Sequence, residues 1–147
     1  MRVVIGVGNE FRRDDGLGPA VLAGLRALPL PADVTLAVSD GEPSRMLDLW
    51  TGADLAVVVD AVHTGDDHGG HVYELTVDRL APSSTVDTSH RVDLGTTVEL
   101  ARALGRMPAR LVVLAVDGTD FGFGTGMTPP VAAAVEPVVR RVCDVLG

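Results

Sequence analysis

The chain has 147 residues, of which 46% are hydrophobic and only 3% aromatic. This length suits a single domain over residues 1–147 that buries roughly 70% of its unfolded surface around Val, Leu and Ala. The formal net charge is −8, from 20 acidic and 12 basic residues. This charge argues against nucleic-acid and anionic-membrane partners, because both require basic surface.

Cysteine content and hydropathy indicate the compartment. Cys143 is the single cysteine, so an intramolecular disulfide is impossible and a reducing compartment is expected. The apolar run at the start is too short for the core of a signal peptide. No apolar stretch approaches the ~18 residues that span a bilayer. We expect a cytoplasmic protein and, since no large exposed apolar helix face is evident, a monomer.

Apolar β-branched runs alternate along the chain with helical hydrophobic patterns. In chain order, the predicted elements are a strand over 2–8, a helix over 16–28, a strand over 33–39, a helix over 43–52, a strand over 54–61, an edge or hairpin strand over 71–77, a helix over 92–105, a strand over 110–118 and a helix over 129–147. Pro137 should kink or restart the last helix. The order predicts a three-layer α/β/α fold with a mostly parallel twisted sheet of about five strands.

The stretch GVGNEFRRDDGLG, residues 6–18, joins the first predicted strand to the first helix. A dinucleotide-binding fingerprint would place a third glycine where Phe11 stands. Asp14 and Asp15 would also repel a pyrophosphate at the helix N-terminus. Helix capping by one of these acids, worth ~1 kcal/mol, is the simpler alternative, but it explains two adjacent acids less well than one.

Two further residues stand near predicted strand ends and helix starts. Asp60 ends the most apolar strand, and His90 precedes the helix over 92–105. With Asp15, they would supply two carboxylates and one imidazole at one sheet edge, an open site suited to nickel, zinc or manganese. Each residue also has an ordinary structural interpretation, since Asp60 can bond the next loop and His90 can be a structural histidine.

The segment HTGDDHGGH is rich in histidine and acid. It contains His63, His68, His71, Asp66 and Asp67, and such a composition can bind metal adventitiously. We favour a solvated loop that leads into the next strand.

The stretch over 117–130 is long for a connection in a compact domain and is expected to be functional or mobile. It contains Phe121 and Phe123.

Several motifs occur in a fixed order along the chain. They are Gly6-Val7-Gly8-Asn9, then Asp14-Asp15 and Gly16-Leu17-Gly18, Asp40-Gly41, Val59-Asp60-Ala61, Ser89-His90 and Thr128-Pro129. Together they resemble the hydrogenase maturation endopeptidases, which trim the C-terminal extension from the large subunit of nickel–iron hydrogenases. The resemblance covers essentially the whole chain.

The resemblance implies a metal site formed by Asp15, Asp60 and His90. Some members carry glutamate at the position of Asp15, so the shorter aspartate would hold the metal closer to the backbone. The nickel would arrive already bound to the hydrogenase large-subunit precursor, and other divalent metals could substitute. The three side chains would complete its coordination and dock the scissile bond, so that cleavage depends on nickel insertion.

Several features of the reaction stay open. The metal could polarise the scissile carbonyl or lower the pKa of a bound water. The general base could be Asp15, Asp60 or Asp40.

The precursor has several candidate contacts. The aromatic pair Phe121 and Phe123 could grip it or fold back onto the core. Arg12 and Arg13 could contact its tail or be solvated.

Other functional classes compete with the endopeptidase. A non-enzymatic, nickel-dependent chaperone of the same precursor would use the same three ligands and leave the peptide intact. A nucleotide-binding α/β enzyme would be stabilised by a nucleotide. A peptidase of the same fold with another substrate is a further alternative.

Overall fold

The structure, a computed structural model, describes residues 1–63, 68–78 and 92–147. Its five-stranded sheet has the order β2-β1-β3-β5-β4. The strands are β1 (Arg2–Val7), β2 (Val34–Ser39), β3 (Leu55–Val62), β4 (Val72–Asp78) and β5 (Arg110–Asp117). All neighbouring strands are parallel except β4, which lies antiparallel to β5 at the sheet edge. The mostly parallel sheet and the edge position of β4 are therefore confirmed.

The helices cover both faces of this sheet. They are α1 (Leu17–Arg26), which follows a 3-10 turn over Arg13–Gly16, α2 (Pro43–Trp50), α3 (Val92–Leu104) and α4 (Pro129–Leu146). Helices α1 and α4 pack together on one face, and α2 and α3 pack together on the other. The three-layer α/β/α prediction is confirmed. No helix among the described residues is long and apolar enough to cross a membrane.

Strand β3 shows why the sequence forms these layers. All eight of its residues are buried, as in a central parallel strand covered on both faces. Val57 and Val59 face the core under α1 and α4, whereas Ala56 and Val58 face the core under α2 and α3. Since β1, β2, β3 and β5 run in the same direction, their carboxyl ends meet at one edge of the sheet, where ligands gather in such folds.

The boundaries of the predicted elements differ from the observed ones by a residue or two. For the last helix, the prediction at Pro137 also differs from the structure. Helix α4 continues through Pro137, so the alternative of a restart there is wrong. Pro137 is exposed, so its ring lies outside the core.

Candidate functional site at the carboxyl edge of the sheet

The chain leaves β1 through a close turn that positions Asp15. Gly8 has φ +140°, and the Asn9 N–H donates to both the backbone oxygen and Oδ2 of Asp15, at 3.0 Å each. A Cβ on Gly8 would lie 2.0 Å from the Asp15 backbone oxygen. Glycine is therefore needed for the acid pair to lie directly against the end of β1.

A second pair of glycines brings β1 and α1 together. A Cβ on Gly6 would lie 2.6 Å from the Gly18 oxygen, and one on Gly18 would lie 2.4 Å from the Val7 oxygen. The glycines of this loop thus allow close backbone contact. Gly16 is the N-cap of α1, which has no side-chain cap hydrogen bond. The capping interpretation of Asp14 and Asp15 is therefore wrong for α1, because the 3-10 turn directs both carboxylates elsewhere.

Asp14 is fully buried and joins two distant parts of the chain. Its Oδ2 accepts from the N–H groups of Thr119 (2.8 Å) and Asp120 (3.0 Å). Its Oδ1 accepts from the Thr128 N–H at 2.7 Å, and the Thr128 hydroxyl lies 3.0 Å from both oxygens. The carboxylate therefore anchors the loop between β5 and α4.

These contacts keep Asp14 ionised. Burial alone raises the pKa of the Asp14 carboxyl. Hydrogen bonds from the N–H groups of Asp120, Thr119 and Thr128 and from the Thr128 hydroxyl lower this pKa by more than burial raises it, so it lies below the ordinary value. Hydrogen bonds to the charged form explain this direction.

Asp60 lies at the carboxyl end of β3 on the face that α2 and α3 cover. It is 2% exposed and lines a small cavity. The other residues of this cavity are Val7, Gly41, Met46, Val58, Leu94 and Thr97. The cavity thus joins the end of β1, the turn after β2, the end of β3 and the first part of α3. A buried carboxylate here needs a cation or donors nearby.

Asp15 and Asp60 belong to adjacent strand ends. Gly6 of β1 lies opposite Val59 of β3, and the 3-10 turn that carries Asp15 contacts β3. The third predicted ligand, His90, lies outside the described residues, as does Ser89. Within residues 1–63, 68–78 and 92–147, no three His, Cys, Asp or Glu side chains form a metal-binding group.

Asp40 follows β2 at the same edge of the sheet. It is exposed, and its Oδ1 accepts from the Glu42 N–H at 2.9 Å. Glu42 in turn caps α2, since its carboxylate accepts from the N–H groups of Ser44 and Arg45. In this structure Asp40 shapes the turn into α2, and its second oxygen remains available for chemistry.

His63 follows β3 and contacts the loop that Asp14 anchors. It is exposed, but its Nδ1 lies 3.1 Å from the Gly118 oxygen, and its ring meets the Phe121 ring edge-on at 5.7 Å between centroids. His63 therefore supports this loop as well as facing solvent. His71 packs against Tyr73, while Asp66 and Asp67 lie outside the described residues.

The two phenylalanines of the 117–130 stretch have different environments. Phe121 is half-buried against the core under α1 and α4, whereas Phe123 is 89% exposed. The Arg12 guanidinium lies 5.9 Å from the centre of the Phe123 ring. Each of the two alternatives therefore describes one residue of the pair. Phe121 folds back onto the core, whereas Phe123 projects into solvent, where a partner could contact it.

Sequence reasoning did not single out Asp117, which ends β5 and is fully buried. Side chains alternate along a strand, so Asp117 shares the face of Leu111 and Val113, which α2 and α3 cover. Asp60 lies on the same face. The available signal was an acid at the end of a second buried strand, since Asp117 ends β5 and Asp60 lies near the end of β3.

The fold and this edge define a class: an α/β protein with buried acidic residues, Asp60 and Asp117, near the carboxyl ends of two parallel strands and a cavity beside Asp60. The family model for hydrogenase maturation proteases matches residues 35–145. The chain belongs to the hydrogenase maturation protease family and is a peptidase. The matched range includes Asp40, Asp60 and His90, and it begins after the acid pair. Family membership argues against the nucleotide-binding alternative.

Individual relatives extend the similarity over the whole chain. The chain is 28% identical over 150 residues to the hydrogenase expression/formation protein HupD of Bradyrhizobium diazoefficiens, covering 99% of this chain and 77% of HupD. It is 24% identical over 149 residues to the hydrogenase 2 maturation protease of Escherichia coli, covering 99% and 91%.

Solved structures show the same fold. The hydrogenase maturating endopeptidase HybD of E. coli superposes with a TM-score of 0.79 at 24% identity, covering 99% of this chain and 91% of HybD. The NiFe hydrogenase maturation protease HybD of Thermococcus kodakarensis superposes with a TM-score of 0.72 at 18% identity, covering 99% of each chain.

Proposed function

We propose that this chain is an endopeptidase that removes the C-terminal extension of a nickel–iron hydrogenase large-subunit precursor after nickel insertion. The observation that carries this proposal is the pair of carboxylates at adjacent strand ends, with Asp60 2% exposed at a cavity and Asp15 held against β1 by Asn9. Two carboxylates and a histidine are suitable ligands for a metal that keeps other positions open.

The nickel in this proposal belongs to the substrate. Asp15, Asp60 and His90 would complete its coordination from the enzyme side, and other divalent metals could substitute for it. Docking of the precursor would then depend on nickel, which restricts cleavage to one state of the substrate. We also expect the protein to act in the cytoplasm as a monomer.

The proposed chemistry is hydrolysis of one peptide bond. Nickel would polarise the scissile carbonyl or acidify a water, and a carboxylate would accept the proton. Asp15, Asp60 and Asp40 are the candidate bases. Asp40 has the most accessible carboxylate of the three because it is exposed, although its Oδ1 accepts a hydrogen bond from the Glu42 N–H.

The test is the intact mass of the cognate precursor after incubation with this protein, with and without nickel loading. Loss of a C-terminal peptide only from the nickel-loaded precursor is the expected result. Cleavage of both forms would remove nickel as the recognition element.

Site variants provide the controls for this experiment. Asp60→Asn should abolish processing, whereas the exposed Asp48→Asn variant on α2 should process normally. Stable binding of nickel-loaded precursor without cleavage would instead support the non-enzymatic chaperone.

A further inference from the structure

Two loops at the carboxyl edge form a rigid, exposed surface. The Arg13 N–H donates to the Gly124 oxygen at 3.0 Å, and the Gly124 N–H donates to the Phe11 oxygen at 2.9 Å. Asp14 anchors the same loop through its buried carboxylate. The residues at the tips of these loops are therefore held in place by backbone hydrogen bonds.

The side chains on this surface are of the kinds that anchor protein interfaces. Phe123 is 89% exposed and Phe11 is 60% exposed. Aromatic residues, Met and Arg are enriched at interfaces. Phe123 contributes little to the core at this exposure, so a folding role does not explain it.

A groove lies beside Phe11 and continues the surface along α1. Its lining includes Pro19, Ala20 and Ala23 of α1, and Thr125 and Met127 of the opposite loop. Gly16, at the end of the turn that carries Asp15, also lines the groove. The groove is therefore continuous with the loop that holds one proposed metal ligand.

The charged side chains on this surface also indicate which charge its binding partner should carry. Arg13 forms an ion pair with Asp120, with Nε 3.6 Å from Oδ2. Within the described part of the chain, the ring of Phe123 is the only side-chain partner of Arg12. Arg12 thus offers a positive charge in a protein of net charge −8, while Glu10 places a negative charge on the groove. An occupant with a carboxylate near Arg12 and apolar side chains in the groove fits this arrangement.

We propose that Phe11, Arg12, Phe123 and the adjoining groove, here called the Phe123 surface, bind an apolar segment of the protein substrate that carries a carboxylate opposite Arg12. This proposal rests on the proposed function, because the same polypeptide would present its metal to Asp15 and Asp60. A rigid surface binds with little loss of conformational entropy. The surface would supply affinity for the substrate and leave the chemical step to the carboxylates.

The test is steady-state processing of nickel-loaded precursor, with kcat and KM measured for two variants. Phe123→Ala and Arg12→Glu should each raise KM about tenfold and change kcat less than about twofold, since each removes a substrate contact that does not involve the reacting groups. Matched controls are Leu104→Ala and Arg26→Glu, which alter exposed residues at the helix ends toward the opposite edge of the sheet. Phe123→Leu should restore most of the affinity.

The outcomes separate this proposal from the proposed function. Normal processing by the wild type, with KM for Phe123→Ala and Arg12→Glu equal to the controls, overturns the Phe123 surface and leaves the proposed function standing. Absence of cleavage by the wild type overturns both. Sedimentation of the free protein tests a second copy as occupant, and a dimer that Phe123→Ala dissociates would also overturn the proposal.

Discussion

Asp14 has a role that its position in the sequence could not reveal. The sequence shows two acids ahead of a helix, which suggests capping. The actual donors are Thr119, Asp120 and Thr128, more than a hundred residues further along the chain. Hydrogen bonds over such separations have no local sequence pattern. Only the fold brings the start of α1 and the start of α4 together.

The Asp14 contacts predict a stability effect. In Asp14→Asn an amide nitrogen would face some of the N–H donors, so we expect a loss of about 3 kcal/mol in the free energy of unfolding at pH 7. Asp48→Asn, a matched change at an exposed ion pair with Arg106, should cost less than about 0.5 kcal/mol. Urea unfolding of both variants measures the difference, and equal losses would contradict the prediction.

The lowered pKa of Asp14 gives this effect a pH dependence. A depressed folded-state pKa stabilises the protein above the unfolded-state pKa, which is about 3.9 for aspartate. That contribution is lost as the pH falls through the folded-state value. The stability difference between wild type and Asp14→Asn should therefore be constant from pH 7 to about pH 5 and shrink below about pH 4. A difference that stays constant at low pH would contradict the assigned pKa direction.

Gly8 allows a second test at the residue scale. Gly8→Ala combines a φ of +140° with a Cβ 2.0 Å from the Asp15 oxygen, so we expect a loss of more than about 3 kcal/mol. Gly52 also has a positive φ, but a Cβ there meets nothing within 4 Å. Gly52→Ala should therefore cost only about 1 kcal/mol from backbone strain. Similar melting temperatures for the two variants would show that the contact with Asp15 is not tight.

At the scale of elements, the hydrophobic pattern of a strand is most informative about its place in the sheet. The apolar run of β3, interrupted only by Asp60, and the alternation in β4 each predict the place of their strand in the sheet, because central and edge strands face different surroundings. The site could be predicted in part for a related reason. Asp60 stands out as a candidate because it interrupts an apolar run. Asp117 also follows an apolar run, at the end of β5, but it is not among the candidates named from the sequence.

Pro137 gives a prediction for α4. The proline removes an N–H that would donate to the Ala133 oxygen, and its ring crowds that carbonyl. Since Pro137 is exposed, Pro137→Ala restores the hydrogen bond without loss of packing, and we expect a gain of about 1–3 kcal/mol. Pro129→Ala is the control, because Pro129 opens the helix, where no N–H is needed. Equal stability of the two variants would contradict this account.

At the scale of the whole molecule, the sheet belongs to two cores at once. Alternate residues of β1, β3 and β5 pack under α1 and α4 or under α2 and α3. Loss of either helical layer would expose one face of these central strands. The two cores should therefore unfold together, although they contain different helices.

Trp50 provides the probe for this cooperativity. It is the only tryptophan, is fully buried on the α2–α3 face, and donates its Nε1–H to the Arg106 oxygen at 2.9 Å. Asp14 acts on the other layer, because it anchors the start of α4 through Thr128. In urea, Trp50 fluorescence and far-UV circular dichroism should give the same midpoint. Asp14→Asn should shift both midpoints equally, since a change that weakens one layer then weakens the entire fold. A dichroism midpoint that moves while the fluorescence midpoint stays would show that the two layers unfold separately.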